Sequence, residues 1–133
     1  LIHDAARPVA GPGLVGTALA TAREFGGAIP ALPATDVIRA ESDGRFSPVA
    51  GTLMRVQTPQ AFRAQPLLSA YLAAAAEAFE GTDTASCLER FSDLDVRVFP
   101  GVATNLKVTF AHDLIVAERL HRDRVRPTDG GPR

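Results

Sequence analysis

The chain has 133 residues, a formal net charge of −1 and 46% hydrophobic residues; with no Trp and only 6% aromatics, its core must be built largely from Val, Leu and Ala. The near-neutral charge offers no global field to recruit nucleic acid or an acidic membrane, and no apolar run approaches the roughly 18–20 residues that span a bilayer. A single cysteine, Cys87, excludes an internal disulfide and fits a reducing compartment, so a cytoplasmic location is expected.

Leu1-Ile2 reads as the end of a β-strand already under way. With no initiator Met, the expectation is the C-terminal part of a larger domain. The strand runs into His3-Asp4-Ala5-Ala6-Arg7-Pro8. An acid and a base so close to a strand end cost desolvation unless they face a cleft, a ligand or each other. Pro12 opens a helix in which Leu14, Ala18, Leu19, Ala22 and Phe25 recur at helical spacing, and Gly26-Gly27 stops it. AIPALP (28–33) reads as a buried strand whose prolines mark its ends or an irregularity. A helix between two apolar strands is a βαβ signature and predicts a parallel α/β sheet.

Residues 36–56 hold short β-prone pieces around Asp43-Gly44, a hairpin-turn pair, and read as a hairpin or arm projecting from the sheet. The Ala-rich stretch 65–81 is the clearest helix, ended by Gly81. Residues 82–91 read as a loop entering a short helix, with Thr82 or Asp83 as N-cap. DVRVFPG (95–101) is a strand, and 102–110 runs from a loop into a second short strand. Thr109 caps a final helix over 111–121, which closes a domain spanning 1–121. The polar, Pro/Gly-rich tail 122–133 is expected to be disordered.

Doubly wound sheets bind ligands at the carboxyl ends of their strands, where Asp4 and Arg7 fall; a local Asp–Arg pair is the structural alternative. His3 fits a structural role better than a catalytic one. In QTPQ (57–60), Pro59 holds Thr58 extended, presenting its hydroxyl and nearby N–H groups to a phosphate; the alternative is an ordinary turn into a helix. TDTAS (82–86) places hydroxyls and an acid at a helix N-terminus, which serves either an anion or simple capping. Lys107, between Leu106 and Val108, calls for a phosphate or carboxylate partner unless it faces solvent from an edge strand. Together Arg7, Lys107, Thr58 and Thr82 suit an anionic, hydroxylated ligand, while Asp4 suits hydroxyls or Mg²⁺. No Cys/His spacing suggests zinc, and no P-loop or G-x-S-x-G is present.

HDAARP, the D-V-I-R element at 36–39, QTPQAF, TDTAS followed by CLE, and NLKVT before a D-L-x-x-A-E helix occur in one order. In that order they resemble the IspD family of cytidylyltransferases, from Leu1 to about Leu120. The resemblance implies the C-terminal part of a Rossmann-like nucleotidyltransferase, a three-layer α/β/α sheet with a projecting β-arm that builds a homodimer. It also implies an activity, in which 2-C-methyl-D-erythritol 4-phosphate attacks CTP with Mg²⁺ assisting, giving CDP-methylerythritol and pyrophosphate for isoprenoid biosynthesis. Asp4, Arg7, Thr58 and Lys107 would then line the sugar-phosphate side, Lys107 positioning the attacking phosphate, with Thr82 and Asp83 nearby. Asp4 is also the candidate metal ligand.

The sequence departs from the family pattern in several places. The Gly-rich nucleotide loop is absent from this stretch, so the 133-residue chain alone is expected to be inactive. The family's D-T-x-K reads Asp36-Val37-Ile38-Arg39, losing a hydroxyl. An arginine expected in the arm before QTPQ falls on Ala50, with Arg45 and Arg55 out of register, and TDTAS replaces T-D-D/E-A-S. These changes lie on the acceptor side, so a ribitol-5-phosphate-type cytidylyltransferase is the competing enzyme. A dimerising remnant that binds sugar phosphate without turnover is the competing non-enzyme.

Overall fold

The computed structural model describes residues 1–81 and 83–125. Helix α1 (Pro12–Phe25) begins with Pro12, whose missing N–H lies among donors that have no helical partner anyway. It ends at Gly26, which takes φ 122° and donates its N–H to the Ala22 carbonyl. Leu14, Ala18 and Ala22 form its buried stripe, and they pack with Ala28, Ala61 and Phe99 to make the core. Leu19 and Phe25, expected on the same face, stay partly exposed: Leu19 flanks the stripe, and Phe25 lies at the helix end under the Arg97 guanidinium.

Strand β1 (Gly26–Pro33) is the central strand of the main sheet. It runs parallel to β6 (Asp95–Pro100) on one side, in register from Gly26↔Asp95 to Ala31↔Pro100. On its other side it pairs antiparallel with β5 (Ala61–Phe62) and β4 (Met54–Val56). The sheet is therefore mixed, which corrects the all-parallel expectation. The βαβ inference assumed a ladder strand before α1, but Leu1-Ile2 contributes only an isolated antiparallel bridge, Ile2↔Gln60.

Pro30 sits mid-strand because its neighbour changes there from β5 to β4. Its carbonyl, and so its missing N–H, faces the gap between them, where Gln57 donates to that carbonyl at 2.7 Å. The gap is filled by residues 57–60, which include a cis Thr58–Pro59 peptide.

The arm is narrower than 36–56. Strands β2 (Arg39–Ser42) and β3 (Arg45–Pro48) form a separate two-stranded hairpin, whereas Met54–Val56 belongs to the main sheet. Asp43 and Gly44 both take positive φ, 52° and 73°, as a tight turn matched to strand twist requires. Every residue of both arm strands is exposed.

Helix α2 (Ala64–Ala76) stops well before Gly81: Ala78 adopts φ 50°, and the Phe79 N–H closes back onto the Ala74 carbonyl. It packs against α3 (Thr84–Phe91). The expected second strand in 102–110 does not form. The backbone groups of that segment find partners elsewhere: Val108 N–H donates to Ala6, and Asn105 N–H to Val102.

Helix α4 (Ala111–Val125) is capped by Asp113 rather than Thr109, its carboxylate accepting from the Thr109 and Phe110 N–H groups at 2.9 Å each. It continues past His121, so residues 122–125 are helical and not part of a tail. The rest of the expected disordered tail, 126–133, lies outside the described residues.

Gly26 is the residue on which the α1–β1 junction turns. A Cβ there would stand 2.7 Å from Leu94 Cδ1 on a backbone that side chains rarely adopt. Gly26→Ala should cost about 1–3 kcal/mol of stability, read as a lower melting temperature. An unchanged melt would show that the junction rearranges freely.

Candidate functional site

The turn after Ile2, the 57–60 segment and the 102–108 loop meet beside β4. Asn105, buried to 1% exposure, joins two of them: its Nδ2 donates to the Thr58 carbonyl at 2.8 Å. Gln57, also buried, donates from Nε2 to the Val102 carbonyl at 2.9 Å and accepts the Val102 N–H on Oε1 at 3.1 Å. An amide side chain thus takes the place of a strand, holding the loop as a ladder would. Asn105 Oδ1 and Arg7 Nε are the buried polar side-chain atoms left unpaired among the described residues.

On this frame sit the residues singled out from sequence. Asp4 accepts the Ala6 N–H on Oδ1 at 3.0 Å and pairs through Oδ2 with Lys107 Nζ at 2.9 Å. The carboxylate's partner is therefore Lys107 and not the nearer-in-sequence Arg7. Arg7 instead donates from Nη1 to the Asn105 carbonyl at 2.7 Å and from Nη2 to the Val56 carbonyl at 3.3 Å.

Thr58 Oγ1 accepts the Asp4 N–H at 2.9 Å and lies 2.9 Å from His3 Nδ1. His3 Nε2 lies 3.1 Å from the Arg7 carbonyl, which can only accept, so Nε2 carries the hydrogen. In the neutral ring Nδ1 then accepts from the Thr58 hydroxyl. His3 is an orienting residue, in keeping with its structural reading.

The lysine contact, followed by the Ala6 N–H, holds the Asp4 carboxyl below the usual carboxylate range. Burial lowers the Arg7 guanidinium pKa, with Asp4 opposing, and the group stays charged at neutral pH. The Asp113 carboxyl is also lowered, by the Phe110 and then the Thr109 N–H.

Beside this cluster lies a cleft of about 320 Å³, lined by Arg7, Arg55, Asn105, Lys107 and Asp113 among others. With three cationic side chains in its lining, it can accept an anionic group. Asp83 is not brought here. It caps α3 in a reciprocal box with Ser86, and its hydrogen bonds stay within that turn. Thr82 lies outside the described residues. As for a metal, both Asp4 oxygens are already engaged, and no cluster of three or more His, Cys, Asp or Glu suited to an ion occurs among the described residues.

Sequence reasoning missed Asn105, Asp113 and the buried role of Gln57. The signal for Gln57 and Asn105 was present: amides flanking apolar residues in QTPQ and NLKVT, where a buried amide must find partners.

A carboxyl held below its unfolded pKa contributes stability above that value and loses it as pH falls through the folded one. Lys107→Met should therefore raise the Asp4 pKa towards the ordinary carboxylate range and reduce the acid-labile part of stability. NMR titration of the Asp4 carboxyl reads this directly, and an unchanged titration would show that Lys107 is not its main partner.

The sequence model of one family, IspD, described as 2-C-methyl-D-erythritol 4-phosphate cytidylyltransferase, matches residues 1–123. Among proteins carrying that description, one from Geobacter metallireducens is 40% identical over 127 residues, covering 94% of this chain and 54% of that protein. One from Deinococcus radiodurans is 44% identical over 123 residues, covering 90% and 52%. Among solved structures, the 2-C-methyl-D-erythritol 4-phosphate cytidylyltransferase of Thermus thermophilus superposes with a TM-score of 0.81 at 35% identity, over 92% of this chain and 61% of that one. The 4-diphosphocytidyl-2C-methyl-D-erythritol synthase of Anaerococcus prevotii gives 0.81 at 27% identity, over 90% and 57%. The chain spans about half the length of the curated relatives it matches. Its mixed α/β architecture is that of the Rossmann-like nucleotidyltransferases, and the chain belongs to the IspD family.

Proposed function

We propose that this chain forms the acceptor side of a CTP-dependent cytidylyltransferase acting on 2-C-methyl-D-erythritol 4-phosphate in non-mevalonate isoprenoid biosynthesis. The observation that supports the reading is the meeting of Asp4, Arg7, Thr58 and Lys107, from three distant segments, beside one cleft. A phosphate oxygen of the acceptor attacks the α-phosphorus of CTP. The bond from that phosphorus to the β-bridging oxygen breaks, and pyrophosphate leaves. Catalysis of this kind is mainly positioning and charge neutralisation.

Lys107 is the residue that positions the attacking phosphate. Its ammonium, held by Asp4 before substrate arrives, is oriented in advance and offsets repulsion as two phosphates approach. Asp4 reads acceptor hydroxyls, Arg7 fixes the loop carrying Lys107, and the Thr58 hydroxyl turns to a phosphate oxygen. The resemblance puts Thr82 and Asp83 near the acceptor, but neither is given a role here: Asp83 caps α3, and Thr82 lies outside the described residues. Mg²⁺ accompanies the triphosphate, to which it binds readily; its protein ligands are not assigned to these residues, since both Asp4 oxygens are engaged.

The protein is further proposed to be cytoplasmic and homodimeric through the β2–β3 arm. Cys87 is unpaired and buried, and no helix among the described residues is long and apolar enough to cross a membrane. Around the arm Val37, Ile38 and Phe46 are 86%, 46% and 74% exposed, an apolar surface suited to a second copy. Deleting Asp43 to Pro48 should shift the whole protein towards monomer without unfolding its sheet. Light scattering that reports an unchanged dimer would remove the arm from the interface.

The deciding assay is pyrophosphate release by the whole protein with CTP and either methylerythritol phosphate or ribitol 5-phosphate. Val37 and Ala50 make the pentitol phosphate the acceptor to test against. Turnover with neither would favour a binding remnant. Lys107→Met should lower kcat/KM by about 10²-fold, the loss of one preorganised donor, or about 2.7 kcal/mol. The melting temperature should barely move, because the pair it breaks is solvent-screened, with side chains 53% and 29% exposed. Turnover kept within about threefold while the melt falls sharply would make Lys107 structural.

A further inference from the structure

Three basic residues line the cleft, Arg7, Arg55 and Lys107, and they are not equivalent. Lys107 is already paired with Asp4 in the absence of a ligand. Arg7 has its Nη1 and Nη2 on the carbonyls of Asn105 and Val56, with its Nε buried. The acid in the cleft, Asp113, directs Oδ2 to two backbone N–H groups and lies 3.4 Å from His112 through Oδ1. Arg7 and Lys107 thus have side-chain partners, whereas the Arg55 side chain makes no hydrogen bond or ion pair among the described residues. It sits on β4 opposite Leu32 of β1, and Leu32 lines the same cleft.

From this asymmetry we infer that Arg55 is a phosphate-positioning residue: its guanidinium is the uncompensated charge that draws the phosphate of the acceptor into the cleft and holds it beside Lys107. A guanidinium presents a planar fork that matches two phosphate oxygens, and it is more weakly hydrated than an ammonium. Anchoring on a strand fixes where that fork can reach, while exposure keeps it available to an incoming ligand. The inference rests on the reading of this cleft as an acceptor-phosphate site. The competing role for an exposed arginine on an edge strand is protection of that edge from further pairing, which involves no ligand.

The test uses the whole protein and inorganic phosphate as probe, with binding followed by calorimetry at several salt concentrations, alongside pyrophosphate release. Arg55→Met should weaken phosphate binding about fivefold to tenfold and flatten its salt dependence, as loss of one charge-assisted contact at a part-exposed site predicts. KM for the phosphorylated acceptor should rise by a similar factor, with a smaller effect on kcat. Arg55→Lys should fall between, keeping the charge and losing the fork. A folded Arg55→Met protein with unchanged phosphate affinity and salt dependence overturns the inference, and a gain in aggregation alone would assign the arginine to edge protection. Should Arg55→Met fail to fold, Arg55→Gln carries the same comparison. Wild-type protein that binds phosphate through Arg55 yet releases no pyrophosphate supports the inference and defeats the enzymatic reading; a wild type that binds no phosphate defeats the inference itself.

Discussion

Two buried amides hold the loop that carries the site. Gln57 grips Val102 by both its N–H and its carbonyl, and Asn105 grips the Thr58 carbonyl, so the 57–60 and 102–108 segments are fixed to each other without a β-ladder. Each such bond contributes only about 1 kcal/mol net, but removing one partner leaves the other buried and unpaired, at about 1–3 kcal/mol. Loss of any one of these bonds therefore costs more than the bond itself contributes, in the frame that carries Lys107 and Thr58.

The charges above this frame are arranged by what the backbone leaves available. Arg7 is drawn inward by the carbonyls of Val56 and Asn105, which puts its guanidinium in service of the loop. That leaves Asp4 to Lys107, an ion pair open enough to water to be rearranged by a ligand. An Asp4–Arg7 pair would have been tighter and would have left Lys107 with no partner in an apolar stretch. The tie of Thr58 to both His3 and the Asp4 N–H links the orientation of the carboxylate to that of the hydroxyl.

The sheet accommodates this cluster by interrupting itself. β1 changes partner from β5 to β4 at Pro30, and the residues between those short strands supply Gln57 and Thr58. A continuous neighbouring strand would have consumed those backbone groups in a ladder and left none for the loop. The exposed β2–β3 hairpin leaves the sheet between β1 and β4, so it extends the fold without disturbing the core of Leu14, Ala18, Ala22, Ala28, Ala61 and Phe99.

Local chemistry was written plainly in the sequence. Pro12 and Gly26 bounded α1, Asp43-Gly44 made the hairpin turn, Asp83 was one of the two caps offered for α3, and β1 and β6 read as strands, because each depends on a residue's own conformational preference or on short-range periodicity. The ordered motifs also carried the family. The tertiary structure decided what those preferences cannot encode: that Asp4 pairs with Lys107 and not Arg7, that Asp113 replaces Thr109 as the cap of α4, and that 102–110 stays a loop. Residues 102–110 alternate enough to pass for a strand. Their hydrogen-bonding groups instead found Gln57, Arg7 and Ala6, residues distant in sequence that only the folded chain brings within reach.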